Sequence, residues 1–101
     1  MADLDTVTEQ IRTKMAMAPG FEHKVKFDFT DDGVIFVDGT ETPPLISHED
    51  KEAECTLKCS IDTFEGFMNG TADPTMAFMT GKLKVDGSMG IAMKLNAIIE
   101  D

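Results

Sequence analysis

Cys55 and Cys59, His23 and His48, and adjacent carboxylates such as Asp31 and Asp32 are the residues of this chain whose types could ligate a metal, attack a substrate or move a proton. Their spacing assembles none of these sites. Cys55 and Cys59 lie four apart in an alternating segment, which puts both on one face of a strand but about 13 Å apart, beyond disulfide reach. They are expected to be reduced and buried. Zinc would also need His23 and His48, whose positions fit no usual Cys/His spacing. Asp31 and Asp32 precede Gly33 and suit a hairpin turn at least as well as acid–base work. The chain holds no glycine-rich phosphate loop, no nucleophile elbow and no His-x-x-x-His. A protein that is not an enzyme, with no metal and no cofactor, is the expectation.

The chain does carry soft apolar mass: eight Met and seven Phe, with no Trp and no Tyr. Phe64, Phe67, Met68, Met76, Phe78, Met79, Met89 and Met93 crowd its C-terminal half. Methionine specifies a core poorly but suits a pocket that must accept chains of differing length and bend. Ordinary core is the competing explanation of the same residues.

The segment from Gly81 to Leu95 separates the two, because its hydrophobic period changes from two to about 3.6 across one glycine. Leu83 and Val85 alternate with Lys82, Lys84 and Asp86, Gly87 supplies a turn, and Ser88 can cap a following helix. At about 100° per residue, Ile91, Leu95, Ile98 and Ile99 form one apolar arc and Met89, Met93 and Ala97 a second, with Lys94 and Asn96 between them. One arc can meet a sheet. The other requires a second helix, a subunit partner or an apolar ligand.

Elsewhere the patterning predicts the supports. Leu4, Val7, Ile11, Met15 and Ala18 mark a first amphipathic helix, with Thr6 and Glu9 as a capping box and Pro19-Gly20 as its end. Val25, Phe27 and Phe29 alternate, and Asp31-Asp32-Gly33 turns the chain into the apolar run Val34 to Val37, giving an antiparallel hairpin. Pro43 and Pro44 remove backbone donors, so a strand near Leu45 and Ile46 belongs at a sheet edge. Ser47 to Glu52 reads as a charged loop, and Ala53 to Cys59 as a half-buried strand of about seven residues. A helix follows, capped by Ser60 or Asp62, striped by Ile61, Phe64, Phe67 and Met68 and stopped at Asn69-Gly70. Asp73-Pro74 starts another.

At 101 residues the chain reads as one domain over 1–101, large enough to bury a core without staples. Nine Lys and Arg against nineteen Asp and Glu give a net charge of -10, which excludes nucleic acid as a partner and leaves at most transient membrane contact. Met1-Ala2-Asp3 opens no signal peptide, no run of about 18 apolar residues occurs, and Ile99-Glu100-Asp101 is not a Ser-Lys-Leu peroxisomal address. A cytoplasmic protein is expected.

Read as one string, Cys55 to Leu95 resembles the sterol carrier protein 2 domain family. The resemblance rests on the Cys55-Thr56-Leu57 strand, the helix end from Phe64 to Gly70, Asp73-Pro74, Phe78, and Gly81-Lys82-Leu83-Lys84-Val85 running through Gly87 into Met89-Gly90-Ile91-Ala92-Met93-Lys94-Leu95. It implies an α+β fold with a five-stranded, mostly antiparallel sheet of order 3-2-1-4-5, helices over one face and a hydrophobic tunnel between the layers. It also implies non-enzymatic binding and transfer of fatty acids, fatty acyl-CoA, phospholipids or sterols. Carried over by position, Leu83 and Val85 lie on the fifth strand, and Met89, Met93 and Ile98 on the helix that closes the tunnel. Leu57 on the fourth strand and Phe64, Phe67 and Met68 on the next helix line its interior. The residue pattern adds Val25, Phe27, Phe36, Met76 and Met79 as candidates for lipid contact. Two alternatives stand beside the carrier: an accessory scaffold presenting a lipid or quinone intermediate to a biosynthetic enzyme partner, and a homodimer whose interface covers the second arc over a filled core.

Overall fold

The computed structural model describes residues 3–99 except Pro19 and Thr42. The expected end of the first helix at Pro19, and the closing Glu100-Asp101, therefore lie outside the described residues. The elements are α1 (Leu4–Ala16), β1 (Lys24–Asp28), a single 3-10 turn (Thr30–Asp32), β2 (Val34–Asp38), β3 (Leu45–Ser47), β4 (Cys55–Lys58), α2 (Ile61–Asn69), α3 (Pro74–Met79), β5 (Lys84–Gly87) and α4 (Met89–Ile99). The sheet order is β3-β2-β1-β4-β5. Its β1–β4 pair is parallel and the other three pairs are antiparallel. This is the α+β architecture expected above.

Register determines which side chains face the helices. Val25 pairs with Val37 and Phe27 with Ile35 across β1 and β2, while Val25 pairs with Cys55 and Phe27 with Leu57 across β1 and β4. All six belong to one buried cluster with Val7, Ile11 and Met15 of α1, Phe64 and Phe67 of α2, and Leu95 and Ile99 of α4. Phe64 anchors it, with ring centroids 5.0 Å from Phe27, 5.2 Å from Phe29 and 6.2 Å from Phe67. Edge-on and tilted geometries at these distances are favourable between aromatic quadrupoles.

Several boundaries differ from the expectation for identifiable reasons. Asp3 caps α1, its Oδ1 accepting the Thr6 N–H at 2.7 Å, so Thr6 is inside the helix and does not open a capping box with Glu9. The Asp31-Asp32 turn is a 3-10 turn closed by Gly33. β4 is four residues rather than seven, because β1 offers only Val25 to Asp28 as partners. The β3–β4 connection must pass β2 and β1 to reach β4, and it does so over the face away from the helices. There Lys26 Nζ meets Asp50 Oδ1 at 2.6 Å and Lys51 Nζ lies 5.8 Å from the Phe36 ring centroid. At its start, His48 Nε2 sits 2.9 Å from Thr8 Oγ1, tying this connection to α1.

Gly87 is the last residue of β5 and not only a turn, pairing with Cys55. Its φ is 99°, and a Cβ there would run into the Glu54 carbonyl oxygen. The same carbonyl accepts the Ser88 N–H at 3.1 Å, and Ser88 Oγ accepts the Ile91 N–H at 3.3 Å to cap α4. The exit angle of α4 from the sheet is set by this junction. Gly81 also has a positive φ, 80°, but open space where a Cβ would stand. Gly81→Ala should therefore cost about 1 kcal/mol in guanidinium unfolding, for backbone strain alone. Gly87→Ala should cost at least about 2 kcal/mol, since strain and collision with a carbonyl combine.

Candidate functional site

The polar candidates are not gathered into a reactive site. His23 Nδ1 is 3.4 Å from Glu54 Oε1, and the Lys24 backbone N–H donates to Glu54 Oε2 at 2.9 Å. The Lys24 N–H, followed by the His23 contact, holds the Glu54 carboxyl below its ordinary range. This arrangement ties the ends of β1 and β4 together at the surface. Asp31 and Asp32 are exposed in the 3-10 turn. Among the described residues no group of three His, Cys, Asp or Glu could hold a metal ion. Cys55 and Cys59 are free thiols, both buried.

The apolar candidates divide into a packed set and an open one. Val25, Phe27, Leu57, Phe64, Phe67 and Met68 are in the core beneath the helices. Phe36 lies on the opposite sheet face, between Val37 and Ile35 in register, and is buried there by the β3–β4 connection. Ile98 is half-buried against the core and lines a separate pocket with Lys14 and Met17 at the end of α1. Met76 and Met79 on α3 are 56% and 74% exposed and do not line the hollow between α3, β5 and α4.

Leu83, Val85, Met89 and Met93 do converge. Together with Pro74, Thr75 and Phe78 of α3 and Ala92 and Asn96 of α4, they line a cavity of about 170 Å³ between α3, β5 and α4. The geometry follows from the two arcs of α4. Ile91, Ala92, Leu95 and Ile99 are buried against the sheet, whereas Met89 and Met93 remain 49% and 70% exposed at the rim. Asp73 caps α3 by accepting the Thr75 N–H at 2.9 Å, with Pro74 preset in the first turn, which brings Phe78 against β5. No lining residue carries a charge.

Asn96, which the apolar pattern left between its two arcs, is the wall residue that hydrophobic periodicity could not flag. Its Oδ1 is buried without a hydrogen-bond partner, the sole such side-chain atom among the described residues. An orphaned acceptor of this kind costs about 1–3 kcal/mol. A polar residue at the boundary of two apolar arcs was the available signal.

A wider cleft of about 350 Å³ lies near the end of α1, bounded by Met15, Phe21, Pro43 and Pro44. Glu22 and Glu41 also form its wall, which disfavours an acidic lipid head group there.

Residues 4–100 match the SCP-2 sterol transfer family model. Human sterol carrier protein 2 is 43% identical over 51 residues, a stretch covering 50% of this chain and 9% of that protein. A solved sterol carrier protein 2 from Aedes aegypti, in complex with palmitate, superposes with a TM-score of 0.74 at 24% identity, covering 94% of this chain and 92% of that one. A ubiquinone synthesis protein, UbiJ-SCP2, superposes with a TM-score of 0.68 at 15% identity over 98% of this chain and 93% of that one.

The thiols provide a test of how tightly the sheet and helices close. Burial, with Asp28 nearby, pushes the Cys59 thiol from the usual 9.0 up to about 12, and burial raises that of Cys55 in the same direction. Between about pH 9 and pH 12 the unfolded chain loses the Cys59 proton and the folded chain keeps it. Stability should therefore fall as pH rises through that window, by at most about 1.4 kcal/mol per pH unit from this group. Guanidinium titrations should show a shallower fall in Cys59→Ala.

Proposed function

The chain belongs to the SCP-2 sterol transfer family, and we propose that it takes up the hydrocarbon part of a lipid in the cavity between α3, β5 and α4 and releases it unchanged. Fatty acids, fatty acyl-CoA, phospholipids and sterols are the candidate cargo classes. One observation carries this reading: Leu83, Val85, Met89 and Met93 face a single uncharged hollow from two elements joined by the Gly87–Ser88 junction. The palmitate in the Aedes aegypti complex supports it by likeness of fold.

The cavity of about 170 Å³ is smaller than the roughly 300–1,000 Å³ common for small-molecule sites. A long chain enters only as the rim opens. Met89 and Met93 are suited to that, being unbranched, partly exposed and able to repack around different shapes. Each methylene taken from water contributes about 0.8 kcal/mol, while lost freedom of the lipid costs about 4–15 kcal/mol. The balance for a long chain is a micromolar complex, which suits pick-up and release. No catalytic step is assigned.

A second reading is favoured by the exposed Met76, Phe78 and Met79 of α3, which adjoin the cavity without all lining it. A biosynthetic enzyme could cover this patch while a lipid or quinone intermediate is presented from the cavity, a role in keeping with the ubiquinone synthesis protein of the same fold. That reading requires a stable protein partner to co-purify from cells. A free carrier does not.

Met93→Lys tests the carrier. Because Met93 is 70% exposed, the change should alter unfolding stability by less than about 0.5 kcal/mol. A charge at the rim disfavours apolar contact as the cavity fills and gains no ion pair from an uncharged ligand, so affinity for the neutral dye Nile red should drop about tenfold. Undiminished binding by a folded Met93→Lys protein would place the lipid elsewhere. Absence of saturable binding to the wild type would reject the carrier outright.

A further inference from the structure

The cleft of about 350 Å³ beyond the end of α1 has about twice the volume of the cavity between α3, β5 and α4 and falls in the range usual for small-molecule sites. Its position follows from the β1–β2 ladder. Lys24 pairs with Asp38 at one end of that ladder, and beyond them the Gly39 N–H donates to His23 O at 2.9 Å. A Cβ at Gly39 would collide with the Phe21 carbonyl oxygen, so the two chain segments run in close contact there. Phe21, Glu22 and Glu41 are thereby held at the same end of the hairpin, where they form a wall with Met15 of α1 and with Pro43 and Pro44.

This wall combines two chemistries. Met15, Phe21, Pro43 and Pro44 present hydrocarbon, whereas Glu22 and Glu41 present exposed carboxylates that no ion pair among the described residues engages. No lysine, arginine or histidine among the described residues lines the cleft, and the net charge of -10 adds a long-range attraction for cations. A bare calcium or magnesium ion fits poorly, because it takes about six or more oxygen ligands and the rest of this wall is largely apolar. An organic cation meets both halves. We propose that the cleft is a second binding site, for a cationic amphiphile: a protonated amine at Glu22 and Glu41 carries a hydrocarbon chain that lies against Met15, Phe21 and the two prolines. The site is independent of the cavity between α3, β5 and α4, whose lining bears no charge. The charge of the head group therefore sorts ligands between the two.

Decylammonium, 1-decanol and decanoate share a chain and differ in the head, so each is titrated at pH 7 into protein carrying carbon-13 at the methionine methyls and followed by NMR. Met15 reports the cleft, and Met89 and Met93 report the other cavity, which keeps failure here distinct from failure of the lipid-carrier reading. Decylammonium should shift Met15 saturably, with an affinity about tenfold above that of decanol, and decanoate should bind there more weakly than decanol. In the double variant Glu22→Gln, Glu41→Gln the ammonium should fall to about the level of decanol, and decanol itself should bind as it does to the wild type. The double variant Asp31→Asn, Asp32→Asn removes the same charge at the opposite end of the hairpin and should keep the preference. A Met15 signal unmoved by decylammonium overturns the inference, as does an ammonium preference that survives in Glu22→Gln, Glu41→Gln. An equal loss in Asp31→Asn, Asp32→Asn also overturns it, since overall charge would then account for the binding.

Discussion

Helix α4 has apolar residues on two sides, and the sheet can cover only one. Ile91, Ala92, Leu95 and Ile99 pack into the shared core and anchor the helix. Met89 and Met93 then project past the sheet edge, where β5 is the last strand and α3 the nearest neighbour. A larger domain would close such an edge with another helix. Here α3, only six residues long, leaves a hollow. The cavity is thus a consequence of an over-supplied helix at the end of a five-stranded sheet.

The positions of the two walls are set by backbone chemistry rather than by the apolar residues themselves. Glu54 O accepts from Ser88 N, and Gly87 leaves the space that this approach requires, so β5 passes into α4 without a loop between them. The Lys82 and Leu83 N–H groups both bond Ala77 O, at 2.8 and 3.0 Å, fastening α3 to the start of β5. Backbone hydrogen bonds fasten the walls, and unbranched methionine side chains form the rim. This division suits the proposed uptake of variable hydrocarbon, because methionine adapts at little cost while the strand and helix hold the opening in place.

Much of this was legible in the residues. The period change across Gly87 foretold β5 and α4, and the two arcs foretold one side packed on the sheet and a second that the sheet could not cover. Asp73-Pro74 and Ser60 announced the starts of α3 and α2 through capping chemistry that acts within one turn. Which apolar residues border the hollow was less legible. Phe64 and Phe67 have the same periodicity as Met89 and Met93, and only the packing of Phe64 against Phe27 and Phe29 reveals that their side of the molecule is filled. Phe36 was ambiguous for a related reason. Its strand is apolar on both faces, and the β3–β4 connection that buries it crosses from far along the chain. Asn96 was visible only as an interruption, since a polar residue in an apolar helix carries no indication of whether it is satisfied.

The methionines offer the most direct test, because they are distributed over the core, the rim and the remote surface. Protein labelled with carbon-13 at the methionine methyls, with resonances assigned by single substitutions, can be titrated with stearate and followed by NMR. The account predicts that Met89 and Met93 shift progressively and show contacts to the acyl chain, while Met15 in the core and Met17, 79% exposed at the far end of α1, stay where they are. Stearate contacts at Met17 with Met89 and Met93 undisturbed would contradict it.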